Sequence, residues 1–276
     1  MAMADMDTSS QTREEDWFHA SEHWSDIRLF CQSFDGPRYL ALVSVFDASR
    51  MVFSMWDDHG YASEAADIKT DHVNHDMSSR HGFFTILSLI LSLAPLGISF
   101  LAPPCSLFVF LSSSLHKRRM GQEQGDTRQY LVRLDNLLAE NTAVAIKAQM
   151  KWRSDTFMMA EQPKGSWMYK CAIWKSLIAG FFLKRTLTYQ GLFGCPLEKG
   201  THLMHNLPAD FLVARRMTKA NKVKFLKRRT RKGIDPEEFY RKKNGSVSGT
   251  KRLSETSVYP KRFVKALFKQ WLLSIQ

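Results

Sequence analysis

The sequence predicts a mixed, mainly α chain with a small N-terminal α+β module, one candidate transmembrane helix and a basic, helical C-terminal half. Three observations lead there. Residues 83–115 run for 33 positions without a charged side chain. Charge is split across that run: residues 1–82 hold 15 Asp and Glu against 6 Lys and Arg, and residues 116–276 hold 12 against 33. Apolar residues in much of the flanking sequence recur at three- and four-residue steps, the spacing of one helical face.

At 276 residues and 44% hydrophobic content the chain has enough apolar material for a core, which excludes wholesale disorder. Cys31, Cys105, Cys171 and Cys195 form no close pair. That spacing suits neither a disulfide framework nor a cysteine zinc site, so a reducing compartment is expected. The opening MAMADMDTSSQTREEDWF is acidic without an apolar core, unlike a secretory signal.

Residues 1–60 read as an acidic α+β module. Trp17, Ala20, Trp24, Ile27 and Cys31 share one helical face, which predicts a helix over residues 13–31. Asp35-Gly36-Pro37 breaks it. RYLALVSVF and RMVFSMW follow, rich in β-branched and aromatic residues and separated by Asp47-Ala48-Ser49; they predict a β-hairpin. Residues 61–82 are polar and read as a linker.

Residues 83–102 supply 20 uncharged residues, about what a hydrocarbon core of about 30 Å requires. Pro103-Pro104 would end that span, and residues 105–115 are too few to cross back. The basic residues nearest the run are Lys69 and Arg80 before it and Lys117, Arg118, Arg119, Arg128 and Arg133 after it. The positive-inside rule then places the C-terminal half in the cytosol. Two other readings compete: buried core, and a translated pyrimidine-rich tract, because Leu, Ser, Phe and Pro fill 24 of the 33 positions.

Residues 116–200 read as helical. Asp126 with Gln129 resembles a capping box. Leu131, Leu134, Leu138, Asn141, Ala145, Ala148 and Trp152 then form a stripe, either intramolecular core or a coiled-coil seam with Asn141 as its polar register residue. Residues 167–183 are apolar but interrupted by Lys170 and Lys175, which suits a buried or interfacial helix.

Residues 201–276 form a basic tail. Arg215, Arg216, Lys219, Lys222, Lys224, Lys227, Arg228, Arg229, Arg231 and Lys232 place ten basic residues in eighteen, in two clusters with a ten-residue gap. Such a layout fits a bipartite nuclear localisation signal read by an import carrier, phosphate contacts with nucleic acid, or anionic phospholipid. Residues 261–276 predict an amphipathic helix. Its anchors Phe263, Leu267, Phe268, Trp271 and Leu272 suit a membrane interface, a protein partner or a calmodulin-like groove, or else the chain's own core.

For catalysis the sequence offers no glycine-rich phosphate loop and no nucleophile elbow. The pairs His72/His75 and His202/His205 lack a third ligand at fixed spacing. No catalytic set, cofactor or metal site is assigned. The expectation is a non-enzymatic, single-pass membrane protein with its basic half in the cytosol. The alternative is a soluble nuclear protein binding RNA or DNA non-specifically through that half.

Overall fold

The computed structural model describes residues 14–109, 112–208, 213–231, 239–241, 247–249 and 258–276. Its centre is a six-stranded mixed sheet of β1 (Leu40–Val45), β2 (Ser63–Ala66), β3 (Leu93–Leu101), β4 (Phe157–Pro163), β5 (Lys184–Tyr189) and β6 (Gly200–His205). The spatial order is β2-β1-β3-β4-β6-β5. Strands β2, β1, β3 and β4 are parallel, and β6 is antiparallel to both β4 and β5. The helices are α1 (Trp24–Ser33), α2 (Met51–Asp57), α3 (Arg80–Leu91), α4 (Ser113–His116), α5 (Tyr130–Trp152), α6 (Ala172–Gly180), α7 (Lys219–Arg231) and α8 (Lys261–Ser274). Phe239–Arg241 and Val247–Gly249 form a separate two-stranded hairpin.

Helices cover both faces of the sheet. On the first face, Phe83, Ile86 and Ile90 of α3, Ile146 of α5 and Trp174 of α6 share a core with Val43, Val45, Leu101 and Met158 of the strands. On the second, Trp56 of α2 and Phe263, Leu267, Phe268 and Trp271 of α8 share a core with Leu42, Ile98, Phe100, Met159 and Leu203. The architecture is a three-layer α/β/α sandwich. It replaces the mainly helical, membrane-anchored chain that the sequence predicts.

The uncharged run explains the difference. It folds as α3, then β3, then the loop that leaves the sheet. Strand β3 lies between β1 and β4 with helices on both of its faces, and although Pro95 and Leu96 are exposed, residues 97–101 are buried at every position. Parallel strands in such a setting read as continuous apolar runs, which hydropathy alone confuses with a span. Helix α3 contributes twelve residues, and no helix among the described residues is long and apolar enough to cross a membrane. The expected transmembrane helix at residues 83–102, and the membrane localisation resting on it, are therefore corrected.

The expected hairpin is corrected as well. RYLALVSVF supplies β1, but RMVFSMW is α2. Asp47 decides this: its Oδ2 accepts hydrogen bonds from Val52 N and Phe53 N, both at 3.1 Å, and so caps the helix from just outside it. The expected linker contains edge strand β2, paired in parallel with β1. Near the N-terminus the helix is shorter than its periodicity implies, because two 3-10 turns precede α1.

Asn141 of α5 lies inside the chain's own core. Its Oδ1 accepts from Ala20 N at 3.0 Å, and its Nδ2 donates to Phe18 O and Met77 O at 2.8 and 2.7 Å. One buried amide thus pins two loops onto α5. Asp126 does not cap that helix, which opens at Tyr130; it binds Lys117 and Arg128 at 3.0 and 2.8 Å instead.

A candidate site at the switch point of the sheet

After β1 the chain turns to the second face and forms α2; after β3 it turns to the first face and later forms α5. Adjacent parallel strands whose connections diverge in this way leave a crevice at their carboxyl ends, where open α/β sheets bind ligands. Two loops border that place, the turn at residues 46–50 and the loop at residues 102–109.

The first loop is rigid. Asp47 is 3% exposed; besides capping α2 it accepts from Ser44 Oγ and Ser49 Oγ, both at 3.1 Å. Phe46 and Arg50 have φ of 64° and 51°, a left-handed conformation usually given to glycine. A dinucleotide-binding turn would leave the helix N–H groups free for phosphate. Here the Asp47 carboxyl already occupies them. Asp67 directly follows β2, twenty positions after Asp47, where doubly wound folds place an acid for ribose hydroxyls. One oxygen, Oδ1, accepts from Lys69 N at 2.9 Å.

The second loop carries Cys105 and is held from several sides. Gln162 at the end of β4 donates from Nε2 to Pro103 O at 2.7 Å and accepts from Ser166 Oγ at 2.9 Å. Asp135 of α5 accepts from Leu107 N at 3.1 Å, and Arg118 Nε donates to Leu107 O at 2.8 Å. The Arg118 guanidinium also lies 3.9 Å above the Phe108 ring. Burial raises the Cys105 thiol to about 12; the Glu161 charge adds to the rise and Lys199 opposes it.

Glu161 is the neighbour from β4, on the same side of the strand as Met159 and so on the α8 face. It is 6% exposed. Its Oε2 accepts from the Tyr259 hydroxyl at 3.1 Å, while its Oε1 has no hydrogen-bond partner among the described residues. Burial raises its pKa, against the lowering effects of Lys199, Tyr259 and Thr201. The Lys199 ammonium lies 5.6 Å from the centre of the Tyr259 ring, which stacks edge-on against Phe100. The chain thus gathers a neutral thiol, a carboxyl biased toward its neutral form, a phenol and an ammonium at the carboxyl ends of β3 and β4. A neutral carboxyl offers one donor beside one acceptor.

None of these residues stands out in the sequence. Cys105 and Glu161 are 56 positions apart and belong to no fixed-spacing motif. Proline was the usable signal: APPC and EQP each follow an apolar stretch, and proline closes a strand it cannot extend. The histidine pair on β6 shows the opposite outcome. Three positions apart on a strand, His202 and His205 point to opposite faces and cannot share an ion.

Of the residues singled out from sequence, Arg215, Arg216, Lys219, Lys222, Lys224 and Lys227 are exposed on or just before α7. The backbones of Arg228, Arg229 and Arg231 continue the helix, and Lys232 lies outside the described residues. Phe263, Leu267, Phe268 and Trp271 are buried against the second face of the sheet, and Leu272 is half-buried. Trp271 Nε1 also donates to Leu96 O at 2.8 Å.

The features together define an open, doubly wound α/β protein with a polar site at its switch point. No protein-family model matches the chain, and no curated protein matches its sequence.

Proposed function

We propose that the protein binds a nucleoside-type ligand at the switch point, with no phosphate at the start of α2 and with Glu161 as the group that recognises it. The buried Glu161 carboxyl carries this reading, because its Oε1 has no hydrogen-bond partner within 3.5 Å among the described residues, the Thr201 hydroxyl supporting the carboxyl only from further away. A buried polar atom in that state costs about 1–3 kcal/mol, which a ligand bringing the missing partner recovers. With Oε2 engaged by Tyr259, Oε1 can accept from an amino or ring N–H group, or donate to a ring nitrogen when the carboxyl holds its proton, and nucleobases present both. Asp67 favours a ribose beside it, and the Asp47 carboxyl at the start of α2 disfavours phosphate through like charge. An acidic turn of this kind suits a nucleoside with a cationic group, of which S-adenosylmethionine is an example.

Cys105 borders the site as a thiol, not a thiolate, and in the free protein it is a weak nucleophile. The reading is therefore of binding first. Any covalent step through sulfur requires the thiol proton to leave once the ligand is in place.

Thermal unfolding with adenosine, cytidine, guanosine and S-adenosylmethionine at millimolar concentration tests the proposal. At least one should raise the midpoint for the wild type and not for Glu161→Ala. An unchanged midpoint with all four, or an equal rise for both proteins, would refute it.

A further inference from the structure

Building on the nucleoside reading of the switch-point site, we propose that its macromolecular partner is a single nucleic-acid strand, held along α7 with a base reaching Glu161. The argument starts from how α7 is anchored. Phe225 is 4% exposed and rests on Gly191, where an added Cβ would lie 3.0 Å from the Phe225 ring. Gly191 belongs to the 3-10 turn Gln190–Phe193, which directly follows β5. Because β5 and β6 are antiparallel with Tyr189 opposite Gly200, that turn sits at the same end of the sheet as Lys199.

Aromatic contacts continue from there to the site. The Arg215 guanidinium lies 4.7 Å from the Phe193 ring centre, and Phe193 meets Phe263 at 5.4 Å. Phe263 meets Tyr259 at 5.8 Å, and Tyr259 donates to Glu161. The basic segment is therefore tied to the recognition group through three aromatic side chains in series.

Its charge is concentrated and outward. Arg215, Arg216, Lys219, Lys224 and Lys227 are exposed, and no acidic residue occurs between Asp210 and Asp235 in the sequence. Lys222 reaches back to Glu198 at 3.8 Å. Lysine-rich faces neutralise phosphates and position a strand without reading its sequence. The strand must be single, because a base paired inside a duplex cannot present its edge to a carboxyl that is 6% exposed. An anionic vesicle would satisfy the charges of α7 but supply nothing to Glu161.

Fluorescence anisotropy with labelled single-stranded oligonucleotides of about 16 nucleotides, in DNA and RNA forms, reads this out. Affinity should fall roughly a hundredfold between about 50 and 200 mM salt, as five phosphate contacts on a single strand imply. Lys219→Glu, Lys224→Glu and Lys227→Glu together should weaken binding at least tenfold while leaving the thermal shift by nucleoside intact. Equal binding by the triple variant, equal or tighter binding of the matching duplex, or equal competition by phosphatidylserine vesicles would each overturn the proposal. If the strand binds as described and no nucleoside shifts the unfolding midpoint, the small-ligand reading fails while the α7 interface stands. In that outcome the base need not reach Glu161, and that part of the proposal falls with it.

Discussion

The two faces of the sheet are covered differently. The first face is sealed by α3, α5 and α6, and Trp174 and Phe83 are fully buried there among apolar neighbours. The second face is covered by the short α2 and by α8, drawn from the far end of the chain. At its carboxyl end the buried Glu161 accepts from Tyr259, and the buried Asp47 accepts from the amides that open α2. The contrast assigns stability mainly to one face and recognition to the other. Polar groups with an unfilled bond are tolerated only where the surrounding packing supports them, and they mark sites of function.

The largest expected effect sets the two covers against each other. Trp174→Ala removes a fully buried indole and its hydrogen bond to Ala139 O at 3.0 Å, and should cost about 4 kcal/mol in urea unfolding. Amide exchange should then accelerate together across the sheet. Trp271→Ala should cost about 3 kcal/mol, with the loss of protection concentrated in α8. A uniform loss in both variants would erase the distinction between the faces.

A second test uses pH. Burial raises the Asp135 carboxyl from 3.8 to about 6, so the folded chain holds that proton more tightly than the unfolded one. Its favourable contribution is complete below the unfolded value and is lost as pH rises through about 6. The size is about 3 kcal/mol. Asp135→Asn cannot lose it, so its stability relative to wild type should improve by about that amount between about pH 4 and 6. His205 acts in the opposite sense. Burial and Lys184 lower it from 6.5 to about 4, so it adds stability as pH rises through the same window. The wild type should therefore look flatter there than either group alone would make it. A constant offset between variant and wild type across that range would show that Asp135 is not held protonated.

The smallest effect is the most specific to the second face. Glu161→Gln keeps the shape and removes a buried acid, so unfolding free energy should change by less than about 1 kcal/mol. The nucleoside-induced shift should largely survive, because the side-chain amide presents an acceptor beside a donor as a neutral carboxyl does. A destabilisation of several kcal/mol would instead make Glu161 part of the packing.

Legibility in the sequence follows this division. The buried residues of α8 could be read because that helix has one wet face, which imposes a period. Helix α5 instead buries six consecutive residues, 141–146, and leaves Leu131, Leu134 and Leu138 of the expected stripe only half-buried. Strand β3 could not be read, since residues 97–101 are dry on both faces and the period vanishes there. The segment of α2 carries strand-forming residues, and only the side chain of Asp47, placed by β1, turns it helical. Strand β2 is the short edge sequence SEAA, which has no strand signature at all. The basic segment was visible as composition, but its position beside Lys199 depends on Phe225 meeting Gly191. Cys105 and Glu161 converge only because β3 and β4 are parallel neighbours ending at the same level. No spacing rule encodes that.

Alkylation of the four cysteines, followed by mass spectrometry on the native chain, tests the central claim most directly. Cys31, Cys171 and Cys195 are buried and serve as internal controls, while Cys105 is partly exposed at the proposed site. The account predicts selective labelling of Cys105. The rate should rise about tenfold per pH unit between about pH 8 and 10, as a thiol titrating far above neutrality requires. A nucleoside that raises the unfolding midpoint should slow the labelling of Cys105 and leave the other three unchanged. Labelling of Cys105 at the same rate with and without saturating nucleoside would contradict a ligand site at the switch point.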